Sequence, residues 1–348
     1  MDAAQSPSEA QIEELVSHVL ALRMDFVQQL LASVGVPYSR ARKGQLRERV
    51  RDAIAEGTLS VEEVVQFLNK VEPGGKQHVF MLRPSASLNA TWTDAEALRK
   101  QLESLGATKD LLGAPLPLLM PETLELSSVK VEKSFVEIVG VEARRYTDRD
   151  EAYDSSTTSE DGLPVQLRAY VERIARSTVT LRWDTDTRHA ALHITQATGR
   201  GLERDHYRQV AERFGTAVSP FLDFSQFADI NLHKVIHRLG EKEQDGKALT
   251  RSRRGRWHTG SGFELLATSP STIASVYDDQ DLRAAIGEVA TPHTGQSGNL
   301  YWLAGGDGNP LAEDLHLTII AADSRVHFMV PSSPETVDYV LGQIRSLL

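Results

Sequence analysis

Residues 177–195 read STVTLRWDTDTRHAALHIT. Apolar and polar residues alternate on both sides of Asp184-Thr185-Asp186, the period of half-buried strands joined by a tight turn. The pattern recurs downstream. LHLTIIAA (315–322) and RVHFMV (325–330) form a second pair joined at Asp323-Ser324, with NLYWL (299–303) just before them. FELLAT (263–268) and QHVFML (77–82) add single strands, and the β-branched residues 124–146 add one or two. Between these blocks the spacing turns helical. Thr93 and Glu96 cap a helix carrying Leu98, Leu102 and Leu105, and amphipathic helices fit 163–176, 203–214, 220–239 and 279–288. Ser333-Pro334 opens a terminal helix with Val337, Val340, Leu341 and Ile344 on one stripe. Strands in adjacent pairs, separated by helices, predict an α+β protein with mixed, largely antiparallel sheets.

The N-terminal region has a different texture. Ser8 and Gln11 form a capping box ahead of Ile12, Leu15, Val16, Val19 and Leu20. A second helix fits 25–34 and stops at Gly35. A third fits 43–56, with Leu46, Val50 and Ile54 on its buried stripe and Arg47 and Arg51 facing out. Ser60 and Glu63 cap a fourth, which Pro73-Gly74-Gly75 ends. The expected order is therefore an N-terminal four-helix bundle at 1–75, an α+β segment at 76–147, an exposed acidic loop at 148–162 and a C-terminal α+β domain at 163–348.

The chain has 348 residues, enough for two or three domains at about 150 residues each. It contains no cysteine, which excludes disulfides, thiol catalysis and cysteine-ligated metals. No apolar run approaches the ~18 residues of a membrane span, and the polar N-terminus shows no secretory signal. The expected location is the cytoplasm, nucleoid-associated in a bacterial setting, with no membrane partner.

No motif of catalysis or cofactor binding is visible. GQSGN (295–299) and GGDGN (305–309) lack the lysine of a phosphate-binding loop and the dinucleotide fingerprint. His233 and His237 lie four apart on a helix, but Lys234 follows where a metalloprotease has glutamate, and no third ligand is evident. His189 and His193 share one face of a strand, where packing is favoured over phosphate contact. The reading leans away from an enzyme and expects no cofactor, while leaving open a site assembled only in space.

Charge is more informative. The net charge is −10, yet residues 40–51 (RARKGQLRERVR) and 247–256 (KALTRSRRGR) each carry +5, leaving −20 on the remainder. In the first island Arg40, Arg42, Lys43, Arg47 and Arg51 can place charge beside successive phosphates. In the second, Lys247, Arg251, Arg253, Arg254 and Arg256 run into Trp257, in what reads as a flexible loop. That loop either clamps nucleic acid, with the indole stacking on a base, or leaves Trp257 to open the next strand and pack inward.

The first island resembles the SAP motif, a short DNA-binding helix–extended–helix module. Phe26, Leu30 and Leu31 match its first helix, and Leu46-Arg47-Glu48-Arg49-Val50 its basic second helix. The connector is about one residue longer than the family pattern. On a larger scale KGQLRERVRDAIAEGTLSVEEVVQFL, VERIARSTVTLRWDTDTRHAALHI and NLHKVIHRL resemble the centromere protein N family of kinetochore proteins. That resemblance implies a death-domain-like helical head that contacts nucleosomal DNA near Arg40 to Arg51. It also implies a C-terminal sheet that pairs with a partner subunit. The expected function is non-enzymatic nucleic-acid binding, most simply to DNA. The alternative is an assembly subunit that self-associates or holds a protein partner through the sheet at 299–330 and the helix at 335–348.

Overall fold

The computed structural model describes residues 8–22, 24–38, 43–71, 75–86, 88–117, 120–149, 153–197, 205–305 and 309–348. Four helices open the chain: α1 (Glu9–Ala21), α2 (Met24–Ser33), α3 (Lys43–Ala55) and α4 (Val61–Val71). Then come β1 (Gln77–Pro84), α5 (Ala95–Ser104), α6 (Gly106–Lys109), β2 (Glu125–Val131), β3 (Phe135–Arg149), β4 (Ser155–Thr158), β5 (Pro164–Leu167), β6 (Tyr170–Asp184) and β7 (His189–Thr195). The remainder runs α7 (His206–Val218), β8 (Phe227–Asp229), α8 (His233–Gln244), β9 (Thr250–His258), β10 (Glu264–Thr268), α9 (Gln280–Val289), β11 (Gly295–Trp302), β12 (Leu315–Ile320), β13 (Arg325–Phe328) and α10 (Pro334–Ser346).

Local chemistry sets many of these boundaries. Ser60 and Glu63 form a reciprocal capping box at α4, with the Ser60 amide 2.8 Å from Oε2 of Glu63 and the Glu63 amide 3.2 Å from Oγ of Ser60. Asp94, rather than Thr93, caps α5 by accepting from the amides of Glu96 and Ala97. Gly57, at φ +72°, takes the left-handed conformation that ends α3.

The fold is α+β. Its strands form one antiparallel sheet in the order β10-β9-β11-β12-β13-β1-β7-β6-β3-β2, with β8 paired to the far end of β1; β4 and β5 make a separate hairpin. β1 lies near the middle and serves two cores. Phe80 and Leu82 project to one face, where they join Leu192, Ile194, Val179, Leu181 and Trp183 beneath α5 and α7. Val79 and Met81 project to the other, joining Leu317, Ile319, Val326 and Phe328 beneath α8 and α10. The helix layers are therefore offset. One covers the β1-to-β2 half of one face, and the other covers the β1-to-β10 half of the opposite face, where α9 adds Ile286 against Trp257. Among the described residues no helix is long and apolar enough to cross a membrane.

This arrangement corrects the expected order of an N-terminal bundle followed by mixed sheets. Helices recur along the whole chain, and the strands make one continuous antiparallel sheet. The first four helices close a common apolar cluster, but they do not stand apart as a bundle, because α1 also packs along β6. Nor does 148–162 separate two units: β3 pairs with β6 across it over fifteen residue pairs, from Phe135↔Asp184 to Arg149↔Tyr170. The helix expected at 163–176 is β5 and the start of β6, since cross-strand pairing overrides its helical spacing. Of the helix expected at 220–239 only the part from His233 is formed, as α8; a single 3-10 turn at 224–226 and β8 take the place of the rest. The terminator Pro73-Gly74 lies outside the described residues.

Two further corrections bear on function. Residues 250–258 are not a loop but β9, paired on both sides. The strand edges at 299–330 and the apolar stripe of the helix expected at 335–348 are used within the chain. β11, β12 and β13 are flanked by strands on both edges, and Val337, Val340, Leu341 and Ile344 of α10 are buried in the core.

Four histidines are packed into this framework. Burial, assisted by neighbouring positive charge, pushes His18 and His193 down to about 3, His78 to about 2 and His327 to about 4 from an ordinary 6.5. Each is neutral in the folded chain and takes up a proton on unfolding once the pH falls below 6.5. Stability is thus fully present above pH 6.5 and declines as the pH falls toward 4, by about 1.4 kcal/mol per pH unit for each histidine. Urea midpoints measured across this range should fall steeply. A midpoint flat from pH 6.5 to 4.5 contradicts the burial of neutral imidazoles.

Candidate nucleic-acid interface

The offset helix layers leave the β9–β13 half of the α7 face without a covering helix among the described residues. Strand alternation decides what lies there. Tyr301 pairs with Arg251, Asn299 with Arg254 and Ser297 with Arg256, all on the uncovered face. A bulge between Asn299 and Leu300 inserts Arg253 as an extra residue on β9. Its positive charge reaches His316 on the same face. Four arginines of one strand thus share a surface with Tyr301, Asn299, His316 and Thr318.

The aromatic and amide groups are fixed before any ligand arrives. Tyr301 stacks on His316 with centroids 4.7 Å apart and planes 17° from parallel. His316 Nε2 donates to Oδ1 of Asn299 at 3.0 Å, and Asn299 Nδ2 donates to Oγ1 of Thr318 at 3.0 Å. Burial, then the nearby charge of Arg253, holds His316 below its usual range, so the ring stacks as a neutral imidazole.

The arginines differ in how far they are compensated. Arg251 lies over the Tyr301 ring at 5.2 Å and is tied to Asp314 at 2.8 Å. Arg256 faces Glu264 at 3.2 Å. Arg253 and Arg254 have no ion pair among the described residues, and Nη1 of Arg253 is buried with no hydrogen-bond partner there. The face therefore offers two uncompensated guanidinium groups beside a stacked aromatic pair, an arrangement suited to phosphate contact and base stacking.

The other expected site residues fall elsewhere. Lys247 is exposed in the turn before β9. Trp257 points to the opposite face, 3% exposed, in a cluster with Ala267, Val276, Tyr277 and Ile286. This corrects the expectation that it could stack on a base, because strand alternation turns it away from the arginines. In the head, Arg40 and Arg42 lie outside the described residues, as does the side chain of Lys43. Arg47 and Arg51 converge on Glu13, at 2.6 and 3.2 Å. Burial works to raise the Glu13 pKa, but the two arginines outweigh it and hold the carboxyl below its usual range.

The two basic islands do not form one surface. Glu14 and His18 of α1 feel the charge of Arg176 on β6, whose even-numbered residues face α10 rather than α7. The head is therefore docked on the opposite face, in the other half of the sheet. The helical histidines also disperse: His233 Nδ1 lies 2.6 Å from the Gly295 carbonyl, and His237 faces Glu241 at 3.5 Å. Among the described residues no three His, Asp or Glu side chains are placed to share a metal.

Tyr301, Asn299, His316 and Thr318 were not singled out in the sequence, although a signal was present. The same alternation that marks Leu300, Trp302, Leu315 and Leu317 as core puts these four on the other face. In comparison with known proteins, no family model and no curated protein matches the chain.

The placement of Trp257 has a direct test. A Cβ on Gly255 would lie 2.0 Å from the Trp257 ring. Trp257→Ala should cost about 3–5 kcal/mol by emptying the cluster, and Gly255→Ala should also destabilise by forcing the indole from its seat. Denaturant unfolding checks both, and wild-type stability in Trp257→Ala contradicts this placement.

Proposed function

We propose that this is a non-enzymatic nucleic-acid-binding protein whose contact surface is the bare arginine face of β9, β11 and β12, and that its ligand is a single strand. The observation that carries this reading is the meeting, on one uncovered half-face, of four arginines with the stacked Tyr301–His316 pair. Guanidinium groups supply sequence-independent attraction to phosphates, and an aromatic platform accepts any base. An A-form or B-form duplex keeps its bases stacked inside and makes poor use of such a platform. A cytoplasmic setting, nucleoid-associated in a bacterium, is part of this reading. The resemblance of the head to a DNA-binding module favours the same ligand class, though Glu13 already offsets Arg47 and Arg51.

A second reading, an assembly subunit, is favoured by a different observation. β10 is an open sheet edge, and Phe263, Leu266 and Ile273 around it are 73%, 45% and 83% exposed. Such an edge can add a strand from another chain.

Salt-dependent titration of a labelled oligothymidine separates the two. Under the first reading, Arg253→Ala with Arg254→Ala lowers the slope of log affinity against log salt by about 1.4, roughly 0.7 for each lost single-strand phosphate contact. Tyr301→Ala costs about 1–3 kcal/mol of binding. Arg47→Ala with Arg51→Ala leaves the slope unchanged. A fall in slope from the head pair alone would move the site to the head. Absence of saturable binding, with self-association abolished by Leu266→Lys, would establish the second reading.

A further inference from the structure

The α10 side of β2, β3, β6 and β7, the half-face along which α1 of the head packs at β6, holds a cavity of about 290 Å³. Its floor is one row of residues running across four strands. Ser128 pairs with Val139, Val139 with Thr180, and Thr180 with His193. Pro334 and Val337, at the start of α10, line the cavity with Leu116 and complete a slot with apolar walls.

Several polar groups along this floor are unsatisfied. His193 Nδ1 lies 2.9 Å from Oε1 of Gln77, which accepts, so Nδ1 carries the ring proton and Nε2 holds a lone pair. Nε2 is buried with no hydrogen-bond partner among the described residues. Burial, with Arg182 and Arg345 adding positive charge, keeps this ring neutral. The hydroxyls of Ser128 and Thr180 also make no hydrogen bond among the described residues. Thr178 and Thr195, by contrast, satisfy each other at 2.7 Å. The arginine that lines the slot is engaged: Arg182 is bound by Glu137 at 3.4 Å and by Asp338 at 3.1 Å.

From this geometry we infer that the slot is a binding site for a small, uncharged molecule that donates an N–H hydrogen bond to Nε2 of His193 and engages the hydroxyls of Thr180 and Ser128. A cation would have to leave water for the same buried setting that keeps His193 neutral. An anion meets the same desolvation, and the one guanidinium that lines the slot, Arg182, is already held by two carboxylates. A purely apolar molecule leaves Nε2 unpaired in the dry site, which is the costly outcome for a buried acceptor. The volume is close to the lower end of small-molecule clefts, about 300–1,000 Å³. The site lies on the opposite face from the β9 arginines, so it holds whether or not those bind nucleic acid.

Three probes of one size and different chemistry test the inference: nicotinamide, benzoate and toluene. Each is titrated into the full chain at pH 7 while the ¹⁵N resonances of the histidine rings are followed. Nicotinamide should bind saturably and shift His193 Nε2 toward the value of a hydrogen-bonded acceptor. Benzoate and toluene should bind at least tenfold more weakly, which corresponds to about 1.4 kcal/mol. Thr180→Val keeps the volume and removes a hydroxyl, and His193→Phe removes the acceptor; each should weaken nicotinamide at least tenfold. If His193→Phe fails to fold, Thr180→Val carries the test. The inference is overturned if nicotinamide leaves Nε2 unmoved at millimolar concentration, so that the slot holds water alone. It is equally overturned if toluene binds as well as nicotinamide, or if a folded Thr180→Val protein binds like the wild type.

Discussion

The alternation of β1 between two cores is the constraint on which the rest of the molecule depends. A strand whose successive side chains all need burial must be covered on both faces. Here Val79 and Met81 are covered by one helix layer, and Phe80 and Leu82 by another. Each layer is only wide enough for half of so broad a sheet, so covering β1 twice leaves the other half of each face outside these two layers. The arginine face is one of those remainders, and the slot above His193 lies in the other, on the half-face where the head docks. Their separation on opposite sides is therefore a product of core formation, and two ligands could occupy them without meeting.

Charge on the arginine face is set by what surrounds it. Asp314 and Glu264 offset Arg251 and Arg256, while half-buried Arg253 and exposed Arg254 have no ion pair among the described residues. On a chain with a net charge of −10, a face with two uncompensated cations attracts an anionic ligand locally while the body repels it. Such a surface favours short contacts of definite placement over wrapping. The compensated pair has a different part: Arg251, anchored by Asp314, holds its guanidinium over Tyr301 and stiffens the stack with His316.

The strands at 177–195 and 315–330 were legible because period-two alternation survives wherever one face is buried and the other is polar. The head helices were legible from capping pairs such as Ser60 and Glu63. The arginine strand was not. Charged residues on both apparent phases, with a glycine inside, look like a loop, and only the bulge at Arg253 and pairing from both sides explain how RSRRGRWH forms a strand. The extension of β6 back to Tyr170 was equally hidden, since its partner on β3 lies across a polar segment that resembled a linker. The site itself was half legible. The arginines stood out as charge, whereas Tyr301, His316 and His193 acquire meaning only from their neighbours on adjacent strands, which no local window contains.

The place of β1 also bears on how the chain is made. One edge of β1 pairs with β7, at residues 189–195, and the other with β13, at residues 325–328. During synthesis β1 emerges early, yet its second edge stays unpaired, and Val79 and Met81 uncovered, until nearly the whole described chain has left the ribosome. The β3–β6–β7 meander can assemble first and shelter Phe80 and Leu82 beneath α7. The other half must wait for β13 and α10. A nascent chain paused between residues 200 and 320 is thus a half-sheet with a sticky centre, the kind of intermediate that long-range pairing makes slow to resolve and that chaperones hold.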